Sequence, residues 1–67
     1  MKLILTKHAG DKMSNLSINL KEIEKTISYG SKIKQTEGYL SCYKTICVAY
    51  KIIERNVYKV KTIYYRR

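Results

Sequence analysis

The spacing of apolar residues at the start of the chain predicts a strand followed by a short helix. The run Lys-Leu-Ile-Leu at 2–5 favours a short first strand. Thr6 has the side chain of a helix N-cap, and residues 7–14 then predict a helix with Ala9 and Met13 on one face. We expect that face to pack against the rest of the protein.

A second helix is predicted by signals at both of its ends. Asn19 can cap the helix, and Glu22 stands three residues later, as a capping box requires. Ile18 and Ile23 have the spacing of a hydrophobic staple. Gly30 suits a left-handed position at the end of the helix.

The spacing changes to that of strands after Gly30. Residues 32–36 predict a weak strand, and residues 43–53 and 57–65 predict two long ones that are rich in Val, Ile, Tyr and Thr. A three-residue turn at 54–56 would join the long strands, with Asn56 at the position of positive φ.

The turn length predicts which side chains of this hairpin are buried. With three residues in the loop, Ile53 faces Val57, and a slip by one residue would exchange the two faces. The predicted core face carries Ile46, Val48, Tyr50, Ile52, Tyr58, Val60, Thr62 and Tyr64. The predicted opposite face carries a lysine cluster of Lys51, Lys59 and Lys61.

The two cysteines do not predict a disulfide or a metal site. Placed on one strand, Cys42 and Cys47 would point to opposite faces, about 16 Å apart. A disulfide needs Cα atoms within about 7 Å, so we expect two small buried thiols. With only one histidine in the chain, we expect neither a zinc site nor a cofactor.

Together these elements predict one small α+β domain over residues 1–67. Two N-terminal helices would pack on one face of an antiparallel sheet of three or four strands. No apolar run reaches the ~20 residues of a membrane span, and the opening Met-Lys-Leu-Ile-Leu is too short for a signal peptide. We therefore expect a soluble cytoplasmic protein with no membrane partner.

The charge narrows the classes of partner. Fourteen Lys and Arg against five Asp and Glu give a net charge of +9 on 67 residues. A surface of this kind attracts nucleic acid, acidic lipid or an acidic protein. The other interpretation is a lysine-rich surface that only keeps the protein soluble, and the lysine cluster of the hairpin leaves both open.

His8 and the end of the chain are the candidates for chemistry. His8 and Lys12 share one face of the first helix, where an imidazole and an ammonium could act as acid, base and charge stabiliser in RNA cleavage. The alternative for His8 is a structural role, capping the helix or hydrogen-bonding to the sheet. At the end of the chain, aromatic rings that stack on bases and guanidinium groups that bind phosphate are supplied by Tyr64, Tyr65, Arg66 and Arg67. A frayed basic tail is the alternative there.

The order of "LTKHAGDKM", "LSINLKEIEKTISYG", "YKTICVAYKI" and "YKVKTIYYRR" resembles a small family of unknown function, over roughly residues 4–65. That family resembles the RelE and BrnT toxins, which are RNA-cleaving α/β proteins with a curved antiparallel sheet. The matching positions are His8, Ala9, Met13, Ile18, Asn19, Gly30, Val48, Tyr50, Thr62 and Tyr64. The chain departs from the family at Lys12, commonly Arg, at Gly10, commonly a larger apolar residue, and at Leu16-Ser17, commonly Arg-Gly.

The resemblance and the charge predict a RelE-like toxin-type protein that binds RNA or ribosome-bound mRNA. It would be a metal-independent endoribonuclease if His8 and Lys12 are catalytic, and the sequence leaves that open. Phosphates would be held by Lys51, Lys59, Lys61, Arg66 and Arg67, and a base would stack on Tyr64 or Tyr65. The alternative is a non-enzymatic module for nucleic acid or for an acidic protein, such as an antitoxin or a host factor. A homodimer through the sheet edge at 32–36 is a third interpretation.

Overall fold

Five strands form one mixed sheet, and two helices connect its opposite edges. The computed structural model describes residues 1–66. In chain order the elements are β1 (Lys2–Leu5), α1 (Lys7–Asn15), α2 (Leu20–Tyr29), β2 (Ser31–Gln35), β3 (Gly38–Tyr43), β4 (Ile46–Glu54) and β5 (Val57–Tyr65). The strand order is β1-β5-β4-β3-β2, and β1 runs parallel to β5 while all other neighbours are antiparallel.

The prediction of an antiparallel, RelE-like sheet of three or four strands is wrong. Residues 38–43 form a strand of their own, because the chain turns at Lys44 and Thr45, inside the segment predicted as one strand. Lys44 adopts a φ of 56°, a left-handed conformation that lysine seldom adopts, so the sequence does not predict a turn there. The sheet is mixed because the two helices carry the chain from β1 at one edge to β2 at the other.

Both predicted helix N-caps are confirmed. Thr6 Oγ1 accepts a hydrogen bond from the Ala9 N–H at 3.0 Å and caps α1. On α2, Asn19 Oδ1 accepts from the Glu22 N–H at 2.9 Å, and Glu22 Oε1 accepts from the Asn19 N–H at 3.0 Å. Neither helix within residues 1–66 is long and apolar enough to cross a membrane.

The end of α1 has a backbone conformation that suits the Gly common at this position in the resembled family. The N–H of Ile18 donates to Met13 O at 3.0 Å, and the N–H of Ser17 donates to Ser14 O at 3.2 Å. This is the hydrogen-bond pattern of a Schellman motif, whose turning residue is left-handed and usually Gly. Ser17 occupies that position with a φ of 56°, where the resembled family commonly has Gly.

Gly30 ends α2 for a different reason from the predicted one. Its φ is −72°, so it is not left-handed, and that prediction is wrong. A Cβ atom at this position would lie under 3.0 Å from Thr26 O, Ser41 Oγ and Cys42 O. Glycine is therefore needed because the end of the helix lies directly against β3.

The helices cover one side of the sheet, here called the helix-covered face. Ser41 Oγ donates to Thr26 O at 2.6 Å and joins β3 to α2 on this side. The buried core is formed by Ala9, Ile18, Ile23, Ile27, Val48, Tyr50, Val60 and Ile63. The four sheet residues among these define the helix-covered face.

A β-bulge at Lys61 changes which residues of β5 are buried. The predicted pairing holds at Tyr50–Val60 and shifts by one residue at Ala49–Thr62, with Lys61 as the extra residue. Ile63 is therefore fully buried, while Tyr64 is 37% exposed. The predicted burial of Thr62 and Tyr64 is wrong because the prediction assumed unbroken alternation along β5.

The other end of the hairpin also departs from the prediction. Glu54 pairs with Val57, so the turn consists of Arg55 and Asn56 and is one residue shorter than predicted. Ile52 is 46% exposed and does not belong to the core. The positive φ predicted for Asn56 is confirmed at 65°.

The cysteines form a disulfide, which the sequence interpretation excluded. Cys42 on β3 and Cys47 on β4 are directly opposed, with Cα atoms 4.1 Å apart. The two cysteines lie on different strands, and the turn at Lys44 and Thr45 brings them face to face, which the prediction of a single strand did not allow. Ser41 points to the helices, so the disulfide lies on the other side of the sheet.

Candidate functional site

The side of the sheet away from the helices, here called the open face, carries the predicted basic residues. Val48 and Tyr50 point to the helices, so Ala49 and Lys51 point away from them. In a β-bulge, two residues of one strand oppose a single residue of the partner strand, and both point to the same side of the sheet. The bulge on β5 therefore places Lys61 and Thr62 together on the open face. The open face of β4 and β5 is lined by Cys47, Ala49, Lys51, Lys59, Lys61, Thr62 and Tyr64.

His8 lies at the edge of the open face. It is in the first turn of α1, which begins where β1 ends and packs chiefly against β5. His8 Nε2 is 3.0 Å from Thr62 Oγ1, and both side chains are accessible to solvent. The imidazole therefore has one nitrogen fixed by a hydroxyl group. Lys12 lies one helical turn further along α1 and is half-buried.

The backbone at the bulge holds α1 in this position. Thr6 Oγ1 donates to Lys61 O at 3.0 Å, and the Thr6 N–H donates to Val60 O at 3.1 Å. The residue that caps α1 is thus bonded to the strand at the point where its register changes. The bulge consequently sets both the orientation of Thr62 and the place at which His8 meets it.

The three lysines of the predicted cluster differ in what their amines contact. Lys51 and Lys59 are directly opposed on β4 and β5, and both are exposed. Lys61 Nζ donates to Glu37 O in the turn between β2 and β3, so its side chain crosses over β4. Two of the three amines therefore project from the open face, and the third is anchored to the backbone.

Sequence reasoning missed Lys2 and Thr62 as members of this surface. Lys2 pairs with Val57, and Ile4 pairs with Lys59, which places Lys2 on the open face, two residues along β1 from the position next to Lys59. Lys2 reaches the open face through the parallel pairing of β1 with β5, and no local sequence signal predicts that pairing. Thr62 lies on the open face and not in the predicted core, because the bulge shifts the alternation of β5 by one residue.

The described residues at the end of the chain do not lie on one surface. Tyr64 pairs with Cys47 on the open face, whereas the Tyr65 hydroxyl donates to Leu16 O at 3.0 Å, beyond the end of α1. Arg66 Nε donates to Lys44 O at 2.7 Å, at the turn between β3 and β4. Arg67, predicted to hold phosphate, lies outside the described residues.

A second group of aromatic side chains lies on the helix-covered side. The rings of Tyr39 and Tyr50 have centroids 5.7 Å apart, and those of Tyr50 and Tyr58 are 5.6 Å apart. Burial, with smaller contributions from Tyr58 and Tyr39, raises the pKa of Tyr50 above its usual value. These rings line a groove of about 500 Å³, separate from the open face.

The open face is therefore a cationic surface with an imidazole at its edge. It can bind a polyanion through ammonium groups, and His8 can exchange protons with a ligand bound beside Thr62. Within residues 1–66, no three His, Cys, Asp or Glu side chains are grouped so that they could hold a metal ion.

The fold and this surface define a small two-layer protein in which helices cover one side of a mixed sheet and leave the other side open. Residues 5–65 match the family described as Domain of unknown function (DUF4258), and the chain belongs to that family. The prediction of a small uncharacterised family is thereby confirmed. Neither a curated protein nor a solved structure matches the chain significantly.

Proposed function

We propose that the open face binds single-stranded RNA through the phosphates of its backbone. The observation that supports this most directly is the pairing of Lys51 with Lys59 on an exposed surface. Two like charges directly opposite each other destabilise a sheet slightly, and a bound polyanion removes that cost. Lys2 adds a third amine on the same face, and Tyr64 offers a ring on which a base can stack.

In this proposal, His8 and Lys12 would supply the groups for metal-independent RNA cleavage. His8 would take the proton of a 2′-hydroxyl, whose oxygen then bonds to phosphorus while the bond to the 5′-oxygen breaks, and the leaving 5′-oxygen takes a proton from water. Lys12 would stabilise the charge on the phosphorane. The products are a 2′,3′-cyclic phosphate and a 5′-hydroxyl, and the position of His8 beside Thr62, at the edge of the cationic open face, supports this reaction. Thr62 is a positioning residue, since it bonds the Nε2 atom and leaves Nδ1 for the proton transfer.

The binding proposal is tested by the salt dependence of affinity for a labelled single-stranded RNA. Each phosphate contact contributes about 0.7 to the slope of log K against log salt. Lys51→Gln with Lys59→Gln should flatten the slope by about 1.4. The matched control is Lys21→Gln with Lys25→Gln on α2, which removes the same charge far from the open face and should leave the slope unchanged. Equal slopes for the two double variants would contradict the proposal.

The cleavage proposal needs a separate assay, with mRNA in the presence and absence of ribosomes. Wild-type protein should produce fragments with 2′,3′-cyclic phosphate ends, and His8→Ala should produce none. Thr62→Val should cleave more slowly because the imidazole is no longer fixed, and Thr62→Ser, which keeps the hydroxyl group, should restore the rate. If wild-type protein cleaves in neither setting, the enzymatic part fails. RNA binding without turnover would then be the function, and the salt experiment decides it independently.

A further inference from the structure

β2 is an edge strand with an unpaired side. It bonds only to β3, and all five of its residues are exposed. In an antiparallel sheet, successive residues of a strand direct their backbone N–H and C=O groups alternately to one neighbouring strand and to the other. On β3, starting from the turn at Lys44 and Thr45, these two neighbours are β4 and β2. This alternation leaves Lys32 and Lys34 with backbone N–H and C=O groups that point away from the sheet. β2 can therefore accept another strand.

Apolar side chains stand next to this edge. Among the large hydrophobic residues of 1–66, Tyr29 and Ile33 are the most exposed, at 71% and 60%. Tyr29 is the last residue of α2, and its ring lies 6.1 Å from that of Tyr43. Exposed apolar groups beside an open strand edge are typical of a surface that a partner covers.

The charges of β2 decide between two kinds of partner. A second copy of the chain, paired antiparallel about Ile33, would place Lys32 directly opposite Lys34 twice. Like charges in that position oppose pairing, and lysines on edge strands prevent self-association in this way. A strand with acidic residues opposite both lysines has complementary charge instead. Lys32 Nζ contacts only backbone oxygens, Ser28 O at 3.4 Å and Gly30 O at 3.2 Å, so its charge is available to a carboxylate.

We propose that the β2 edge binds an extended acidic segment of a partner protein, which becomes a sixth strand of the sheet. Acidic residues of that segment would lie opposite Lys32 and Lys34, and an apolar residue between them would contact Ile33. This edge is separated from the lysine pair of the open face by β3. The inference is therefore independent of RNA binding.

The experiment uses a synthetic peptide of alternating Glu and Val, with a peptide of alternating Lys and Val as its control. The acidic peptide should bind, and it should slow hydrogen exchange at the backbone N–H groups of Lys32 and Lys34. Lys32→Glu with Lys34→Glu should weaken it at least about tenfold and should gain affinity for the basic peptide. Lys51→Glu with Lys59→Glu, which makes the same change of charge elsewhere, should leave the affinity within about twofold.

A second pair of variants separates backbone pairing from charge and does not depend on the folding of the double variant. Lys34→Pro and Lys34→Gln both remove the amine, but only the proline also removes the outward N–H group. The proline variant should bind the acidic peptide more weakly than the glutamine variant. The proposal is overturned by equal binding of these two, by undiminished binding to Lys32→Glu with Lys34→Glu, or by no binding at about 1 mM peptide.

Discussion

The two faces of the sheet are built from alternate residues of the same strands, yet they follow different rules. On the helix-covered face, Val48, Val60 and Ile63 are fully buried in the same core as the apolar residues of the two helices. On the open face, Lys51 and Lys59 stand opposite each other in solvent. The first face is determined by burial, which admits a polar side chain only where it is hydrogen-bonded, as Ser41 is to Thr26 O, whereas nothing in the fold requires lysine on the second.

The bulge at Lys61 is where this difference becomes visible in the sequence. On either side of it, the alternation of β5 is regular, but the two regular stretches are out of phase. The covered face takes Val60 and then Ile63, and the open face takes both residues between them. The residues on the helix-covered face thus remain apolar and buried on both sides of the bulge. The extra residue lies on the open face, and its backbone supports the His8–Thr62 contact.

The difference between the two faces is tested most strongly by truncating neighbouring residues that point to opposite faces. Ile63→Ala should lower the free energy of unfolding by about 2–5 kcal/mol, because it leaves a cavity in the core. Tyr64→Ala should cost less than about 1 kcal/mol, because its side chain is partly in solvent. Urea unfolding of the two variants measures the difference. A larger loss for Tyr64→Ala would mean that the alternation continues through Lys61 without a bulge.

Two glycines test how closely the helices approach the sheet. Gly30→Ala should destabilise by about 1–3 kcal/mol, since the added methyl group meets Thr26 O, Ser41 Oγ and Cys42 O. Gly10→Ala should instead stabilise α1 by about 0.5–1 kcal/mol, because a Cβ there has nothing within 4 Å. Thermal unfolding of both variants provides the comparison, and a loss of stability in Gly10→Ala would contradict the open surroundings of that residue.

The covered face should also respond to alkaline pH through Tyr50. Its pKa is raised in the folded protein, so folding favours the protonated phenol. The resulting stability is present below about pH 10 and is lost as the pH rises through the raised pKa. The melting temperature of Tyr50→Phe should therefore fall less between pH 9 and about pH 11 than that of wild type. Equal curves for Tyr50→Phe and wild type would refute the effect.

The smallest expected effect is on the open face. Lys51→Gln with Lys59→Gln should leave stability unchanged or raise it by up to about 0.5 kcal/mol, because a like-charge pair is removed. The gain should disappear at high salt, where the repulsion is screened. Denaturant unfolding at low and high salt gives the measurement. A marked loss of stability would show that these lysines are structural, and the two faces would then differ less than described.

The local parts of the fold were predictable because their signals are short. Asn19 with Glu22, Thr6 and Asn56 each act through hydrogen bonds or backbone angles within a few residues, and each lies where the sequence placed it. Lys44 and Ser17 adopt the same left-handed conformation as Asn56, but their residue types seldom do. The strand β3 was missed for that reason, and the Cys42–Cys47 disulfide was missed with it.

The candidate site was only partly predictable because it depends on contacts between distant segments. His8, Lys51 and Lys59 were selected by residue type, and the structure brings them to one side of the sheet or to its edge. Thr62 and Lys2 were not selected, because their positions depend on the bulge and on the parallel β1–β5 pairing. No local interaction within β5 marks the position of the bulge in the sequence. Its position is determined by the packing of the whole core.

The parallel pairing of β1 with β5 also has a consequence for assembly. Each hairpin of the sheet joins strands that are adjacent in the chain, and such contacts form early because their loops are short. Thr6 and Lys61, in contrast, are 55 residues apart. On the ribosome β1 emerges well before β5 and has no partner until that strand is made. We expect β1 and the start of α1 to dock last, so that the contact between His8 and Thr62 is completed only when the rest of the protein has folded.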